Sequence, residues 1–357
     1  MRAVLGLVLV LASGVVQAKT AGTSLAREAL QKYVDSGELP GAINVFCRPG
    51  EEEVTCLGYA DLETRRPITL DDPFMQCSQT KGFCGVTVAM LAEAGKLRLD
   101  DPVSKYLPEF AELWIQTSKT NDTRVLAKAT NALPLQFEPG TKTSYSNVGI
   151  DVAAAVVEKV SGIRWETFLQ KRVFDPLGMK ATGFWPTDAQ LAKRIRLYTV
   201  RPGKKPVPRV DSSMQPPWGD DRVFPSAGAG LWTTARDQLA FYRMLMNLGV
   251  GENGVRILKA ETVKSLLAVS SRPKGLGGYS LGLSAPVDDS ESAWFGHGGA
   301  FGTNCMVNWH RKELSLWVVQ MYGGPYPWTE ARAEASRRFF SRTVDDSGVR
   351  AYTGRMK

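Results

Sequence analysis

Ser78-Gln79-Thr80-Lys81 sets a hydroxyl and an amine three residues apart. Positions i and i+3 share a helix face, so Lys81 can bring its amine beside the Ser78 hydroxyl. A serine hydroxyl is a poor nucleophile until a neighbouring base takes its proton. A lysine can be that base when burial and nearby positive charge hold it neutral. A helix start adds a positive field and a free backbone N–H for the oxyanion formed on attack. The chemistry in view is acyl transfer through serine.

The pair alone is a weak signal, because two fixed residues in four recur by chance about once in a chain of this length. Ser271-Arg272-Pro273-Lys274 matches too. That copy contains a proline and runs into Gly275 and Gly277-Gly278, a poor opening for a buried helix. Thr80 to Ala94, in contrast, is helical in pattern and apolar on almost every face, the mark of a buried helix, and Gly95 ends it. Ser78 sits at its start.

Tyr145-Ser146-Asn147 is the only Tyr-x-Asn in the chain. A phenol beside a lysine can relay the proton from nucleophile to leaving group. Asn147 can bond a substrate amide and orient the lysine. In isolation the pattern reads more simply as a core tyrosine followed by a turn-forming asparagine. His297-Gly298-Gly299-Ala300 precedes an apolar strand pattern. Glycines there would let a substrate backbone approach a strand edge, and the Ala300 N–H could be a second oxyanion donor. A plain Gly-Gly turn fits the same residues.

Two other hydrolase patterns fit less well. Gly278-Tyr279-Ser280-Leu281-Gly282 matches a Gly-x-Ser-x-Gly elbow, but Pro286 interrupts the helix that must follow, so a glycine-rich strand is expected there. A Ser-His-Asp triad would have to use His297 or His310, the only histidines, and His310 lies in a charged turn. No HExxH zinc motif occurs, and neither a metal nor a cofactor is expected.

The elements that must position these groups follow from periodicity. Leu25 to Val34 reads as a helix ended by Ser36-Gly37. Ala42 to Cys47 and Val54 to Tyr59 form a hairpin around Pro49-Gly50. Asp151 to Val160 and Trp165 to Phe174 are further helices. Thr234-Ala235-Arg236-Asp237 is a capping box opening a helix over Gln238 to Leu248. Phe301 to Trp309 and Leu314 to Met321 alternate as two antiparallel strands, and Thr329 to Arg342 is a final amphipathic helix. Strands at both ends with helices between predict one antiparallel sheet built from both ends of the chain, with an inserted helical lobe.

The 357 residues, 43% hydrophobic and 22% charged, are those of a folded protein with a large core. Arg2, the apolar run Ala3 to Val16 and the small-residue pattern Val16-Gln17-Ala18 read as a secretory signal over residues 1–18. The remainder is then a soluble secreted or periplasmic protein, with one domain over 19–345 and a tail over 346–357. The run is short for a membrane span, and no stable membrane insertion is expected after cleavage. The net charge of +8 is spread along the chain, not gathered with aromatics, so nucleic acid is not an expected partner. Of the five cysteines, Cys47 and Cys56 flank the apparent turn Arg48 to Thr55 and are candidates for a bridge, with buried thiols as the alternative.

Taken together, the three motifs resemble those of the serine β-lactamase and penicillin-binding-protein superfamily. Leu97-Arg98-Leu99-Asp100-Asp101-Pro102-Val103, Phe137-Glu138-Pro139-Gly140-Thr141, Phe174-Asp175-Pro176-Leu177-Gly178-Met179 and Ala227-Gly228-Ala229-Gly230-Leu231 extend the likeness to its class C β-lactamase-related branch. The resemblance runs from about Ala26 to Phe340. It implies an α/β (α+β) fold, an antiparallel sheet flanked by helices with a helical lobe inserted at roughly residues 79–180, and a site in the cleft between the lobes. It also implies an acyl-serine intermediate, with Ser78 as nucleophile and Lys81 and Tyr145 handling protons. Asn147, His297, Gly298, Gly299 and Ala300 would contact a small ester, amide or peptide substrate. Two departures stand out. The branch's efficient β-lactamases usually carry lysine where His297 stands, so a largely neutral His297 favours an ester or peptide amide over a β-lactam. The His-Thr-Ser-Gly-like run usual between the first two motifs is missing from Ala111 to Gln136.

Overall fold

The computed structural model describes residues 24–110, 144–201, 203–209, 224–267, 278–285, 290–324 and 326–341. The expected signal, the Ala111–Gln136 and Phe137–Thr141 stretches, the second Ser-x-x-Lys at Ser271 and the tail lie outside them. Among the described residues one eight-stranded sheet dominates. Its strands are β1 Gly41–Arg48, β2 Glu51–Asp61, β3 Arg66–Pro67, β4 Tyr279–Ser280, β5 Leu283–Ser284, β6 Phe295–Gly298, β7 Asn304–Asn308 and β8 Glu313–Val318. They lie in the order β3-β2-β1-β8-β7-β6-β5-β4. Every pairing is antiparallel, and β1 from the chain's start pairs β8 from its end through Ile43 opposite Val318 to Cys47 opposite Leu314. The expected sheet built from both ends is therefore present.

Period-two burial explains the layering. Ile43 and Val45 point to one face of β1, and Ala42 and Phe46 to the other. On the second face lie α1 (Leu25–Asp35) and, later in the chain, the helix Thr329–Ser341, packed through Leu30 and Phe339. Ser24 caps α1 by accepting from the Arg27 N–H, and Gly37, at φ +76°, turns the chain out of it. The first face carries the larger core and five further helices: α2 Thr80–Glu93, α3 Asn147–Ser161, α4 Trp165–Leu169, α5 Ala235–Met246 and α6 Ala260–Leu267; Thr329–Ser341 is α7. The α2 helix is buried almost throughout from Thr80 to Leu91, as its all-round apolar pattern requires. Phe83 stacks on Phe241 of α5 at 3.7 Å. Gly85 lets α2 press against the β4–β5 turn, where a Cβ would stand 1.6 Å from the Leu281 carbonyl oxygen.

Several expectations are refined. The helix read as Asp151–Val160 begins at Asn147, because Ser146 caps it by accepting from the Gly149 N–H. The helix read as Trp165–Phe174 widens into a π turn over Gln170–Phe174. Pro176 has no N–H for the Arg172 carbonyl, which favours that change of hydrogen-bond spacing. Thr234 does cap α5, but the Asp237 carboxylate turns to the Ala181 N–H and the Thr182 hydroxyl, leaving the capping box half made. The Gly-x-Ser-x-Gly segment is the β4–β5 hairpin, with the Ser280 hydroxyl buried against the Leu266 carbonyl. Cys47 and Cys56 are free thiols. Register separates them: Cys47 faces Glu52, while Cys56 faces Ile43, four residues back along β1. No helix among the described residues is long and apolar enough to cross a membrane.

Candidate active site

Ser78 stands in a single 3₁₀ turn, Cys77–Gln79, that leads straight into α2. The residue before it, Cys77, has φ +51°, a left-handed backbone that a non-glycine residue adopts at a cost. That bend leaves Ser78 half-buried and sends Lys81 inward with no exposed surface. The Lys81 Nζ makes three contacts: 3.2 Å to Ser78 Oγ, 2.5 Å to Asn147 Oδ1 and 2.6 Å to the Gly228 carbonyl. The two short contacts go to oxygens that can only accept. The long one goes to a hydroxyl that can also donate. One amine is thereby held between Asn147 and the Gly228 carbonyl and placed beside the Ser78 hydroxyl.

Asn147 reaches the lysine because it is the first residue of α3, packed so closely on the Ala227-Gly228-Ala229 bend that a Cβ on Gly228 would meet Asn147 Cβ at 2.8 Å. Asp151, one helical turn further on the same face, was not anticipated from sequence. It is buried, and its Oδ1 accepts from the Gly228 N–H at 3.1 Å and the Ser226 hydroxyl at 3.2 Å. Burial raises its carboxyl to about 6, against the pull of those donors and of Lys81. A lone acid in the apolar run Val148 to Val157 was the available signal. The Gly228 bend gave less, since its role depends on what packs beneath it.

Tyr145 is brought to the site by its ring. Lys81 Nζ lies 4.6 Å from the ring centroid, a cation–π distance, and 57% of the side chain is exposed. No hydrogen bond joins its hydroxyl to Ser78 or Lys81. The ring also meets Tyr279 edge-on at 6.0 Å and His297 at 6.1 Å. Tyr279, seen in sequence only as part of a glycine-rich strand, is the partner of His297, its hydroxyl 2.9 Å from Nε2. The other ring nitrogen, Nδ1, faces the Gly298 carbonyl, which can only accept. Nδ1 therefore carries the proton, and Tyr279 donates to Nε2. Burial lowers the His297 pKa, with Lys81 adding to the effect, so the ring is neutral at pH 7. With both nitrogens engaged away from Ser78, His297 is badly placed to be a base. His310 stacks on Trp309 in the β7–β8 turn.

The third motif ends strand β6 and leads through a turn into β7, which starts at Asn304 and not at Phe301 as the sequence pattern suggests. Residues 299–303 make a tight turn, with the Gly299 N–H bonded to the Thr303 carbonyl. Gly299 is required there, since a Cβ would stand 2.4 Å from the Gln76 carbonyl oxygen. Gly298 has ordinary room. The β6 edge pairs β5 only at Gly296 opposite Ser284, so His297 and Gly298 have no β5 partner. The Ala300 and Phe301 amides lie beside the Cys77 sulfur, whose thiol burial pushes up to about 12. Among the described residues no group of three or more His, Cys, Asp or Glu side chains could hold a metal ion.

A serine, a buried lysine and an asparagine at the foot of an antiparallel sheet define a class of protein, and comparison with known families agrees. The Beta-lactamase family profile matches residues 26–335, and the chain belongs to that family. An uncharacterised protein of Mycobacterium tuberculosis is 27% identical over 82% of this chain and 88% of its own. The lovastatin esterase of Penicillium rubens is 24% identical over 80% of this chain and 85% of its own. Among solved structures, EstCE1, a hydrolase with promiscuous acyltransferase activity, superposes with a TM-score of 0.68 at 21% identity, covering 87% of this chain and 97% of its own. The D-amino acid amidase of Ochrobactrum anthropi superposes at 0.66 and 20% identity, covering 88% and 97%. These two likenesses are of fold.

Proposed function

We propose that the protein is an exported serine hydrolase that cleaves esters or amides through an acyl group on Ser78. The observation carrying this reading is the set of three contacts at Lys81 Nζ. In the forward step the Ser78 Oγ bonds to the substrate carbonyl carbon while its proton passes to Nζ. The resulting oxyanion is met by the Ser78 amide at the helix start. As the carbon–oxygen or carbon–nitrogen bond breaks, the departing alkoxide or amine takes the proton. Water then repeats the sequence on the acyl-serine, giving its proton to the lysine and releasing the acid. Tyr145 joins the relay by turning its exposed ring so that the hydroxyl, not the face, meets Nζ. A neutral His297 holds a substrate carboxylate weakly, which favours esters and peptide amides over β-lactams. The esterase and amidase among the similar proteins fit this preference.

The test is Ser78→Ala against a panel of chromogenic esters. Loss of turnover with an unchanged far-UV spectrum is expected, and full activity would refute the assignment. Amino-terminal sequencing of the protein collected outside the cytoplasm should begin after Ala18.

A second reading, a penicillin-binding or sensor protein that acylates and scarcely deacylates, draws support from the unbonded Tyr145 hydroxyl. Intact-mass measurement after mixing with an activated ester separates the two. A transient adduct supports the hydrolase, and one that persists for hours supports the sensor.

A further inference from the structure

We infer that Asp151 is a positioning residue for Lys81, acting through the Ser226-Ala227-Gly228 bend. This rests on the proposed role of Lys81 as the proton acceptor. Two donors from the bend, the Gly228 N–H and the Ser226 hydroxyl, converge on the single oxygen Asp151 Oδ1. The same peptide bend turns the Gly228 carbonyl to Lys81 Nζ at 2.6 Å. One end of the bend is thus tied to α3 by Asp151, and the carbonyl it aims holds one N–H of Lys81. Asn147, four residues earlier on α3, holds another. A single helix face therefore sets two of the three contacts that hold Lys81 Nζ beside Ser78.

The carboxylate also acts by charge. The groups facing it are Lys81 and Cys84 of α2, the Ser226 hydroxyl, and the Ala227 and Gly228 amides. Lys81 is the only cation among them. A negative Asp151 favours the ammonium form of Lys81 and opposes the free amine that attack on the substrate needs. The carboxylate therefore acts on the base in two ways, by aim and by charge. A hydrogen-bonding but uncharged side chain separates the two effects, because both bonds end on one oxygen that an amide also possesses.

The experiment compares wild type, Asp151→Asn, Asp151→Ala and Ser226→Ala, following acylation of Ser78 by an activated ester across pH 5 to 10. Asp151→Asn should keep most of the rate at its optimum while the acidic limb of the profile moves to lower pH by about half a unit or more. Asp151→Ala should lose about 100-fold in acylation rate, the scale expected when a reacting group is displaced by about 1 Å. Ser226→Ala, which leaves the Gly228 N–H bond in place, should fall between. If Asp151→Ala fails to fold, the limb of Asp151→Asn and the rate of Ser226→Ala carry the test. Normal labelling of Ser78 with an unmoved limb and undiminished rates in the variants overturns this inference alone. No adduct on Ser78 in the wild type overturns the hydrolase reading and this inference with it.

Discussion

Replacing Asp151 by asparagine should make the protein more stable at neutral pH. The carboxyl is buried and its pKa stands at about 6 against an ordinary 3.8. A folded-state pKa above the unfolded one means that the native state binds the proton more tightly. The native state is then penalised as pH rises through the window from about 4 to about 6 and the buried group must ionise. At about 1.4 kcal/mol per pH unit, the full penalty above that window is about 3 kcal/mol. Asparagine keeps an oxygen for the Gly228 N–H and the Ser226 hydroxyl and never ionises. Urea unfolding of both proteins at pH 4, 5, 6, 7 and 8 measures the difference. The variant should exceed wild type by up to about 3 kcal/mol at pH 7 and 8, with the gap closing toward pH 4. Other buried acids, Asp237 and Glu313, are common to both proteins and cancel. Identical pH slopes would refute the account, because they would mean that Asp151 ionises without cost in the folded state.

Three further outcomes follow from the same geometry. Lys81→Met should lower ester turnover by about 100- to 10,000-fold, the usual worth of a positioned general base; retained activity with a pH limb near that of an imidazole would point to a histidine base. Gly85→Ala should destabilise the protein by about 1–3 kcal/mol or more in urea titration, because a Cβ there stands 1.6 Å from the Leu281 carbonyl oxygen, a backbone atom that cannot rotate away. His297→Lys should raise the preference for carboxylate-bearing over neutral substrates about tenfold, the scale of one charge-assisted hydrogen bond. An unchanged ratio of kcat/KM values would show that the third motif does not contact the carboxylate.

Much of this arrangement was legible in the residues themselves, because local patterns determined it. The all-apolar stretch after Ser78 required a buried helix, and a buried helix turns the i+3 lysine inward. The apolar run Ala42–Cys47 beside a Pro-Gly turn and the alternation in Leu314–Met321 gave strands at both chain ends, and their pairing followed. What sequence left out depends on contacts between distant segments. Asp151 looked like an ordinary helix residue until α3 was seen to start at Asn147, and the start depends on Ser146 capping Gly149. Tyr279 meets His297 only because β4, β5 and β6 lie side by side in the sheet, and nothing near residue 279 announces that order. The Cys47–Cys56 bridge failed for a related reason: the turn closes tightly at Pro49-Gly50, which sets Cys47 opposite Glu52 and leaves Cys56 four positions further along β2. Gly299 was credited with admitting substrate, whereas its missing side chain makes room for the Gln76 backbone.

The most direct test of the account is to treat the folded protein with an activated phosphonate or ester at pH 7 to 8, digest it, and locate the adduct by mass spectrometry. One modification is predicted, on the peptide containing Ser78, absent from Ser78→Ala and strongly slowed in Lys81→Met. A stable adduct on any other serine, such as Ser280, with Ser78 untouched would contradict it.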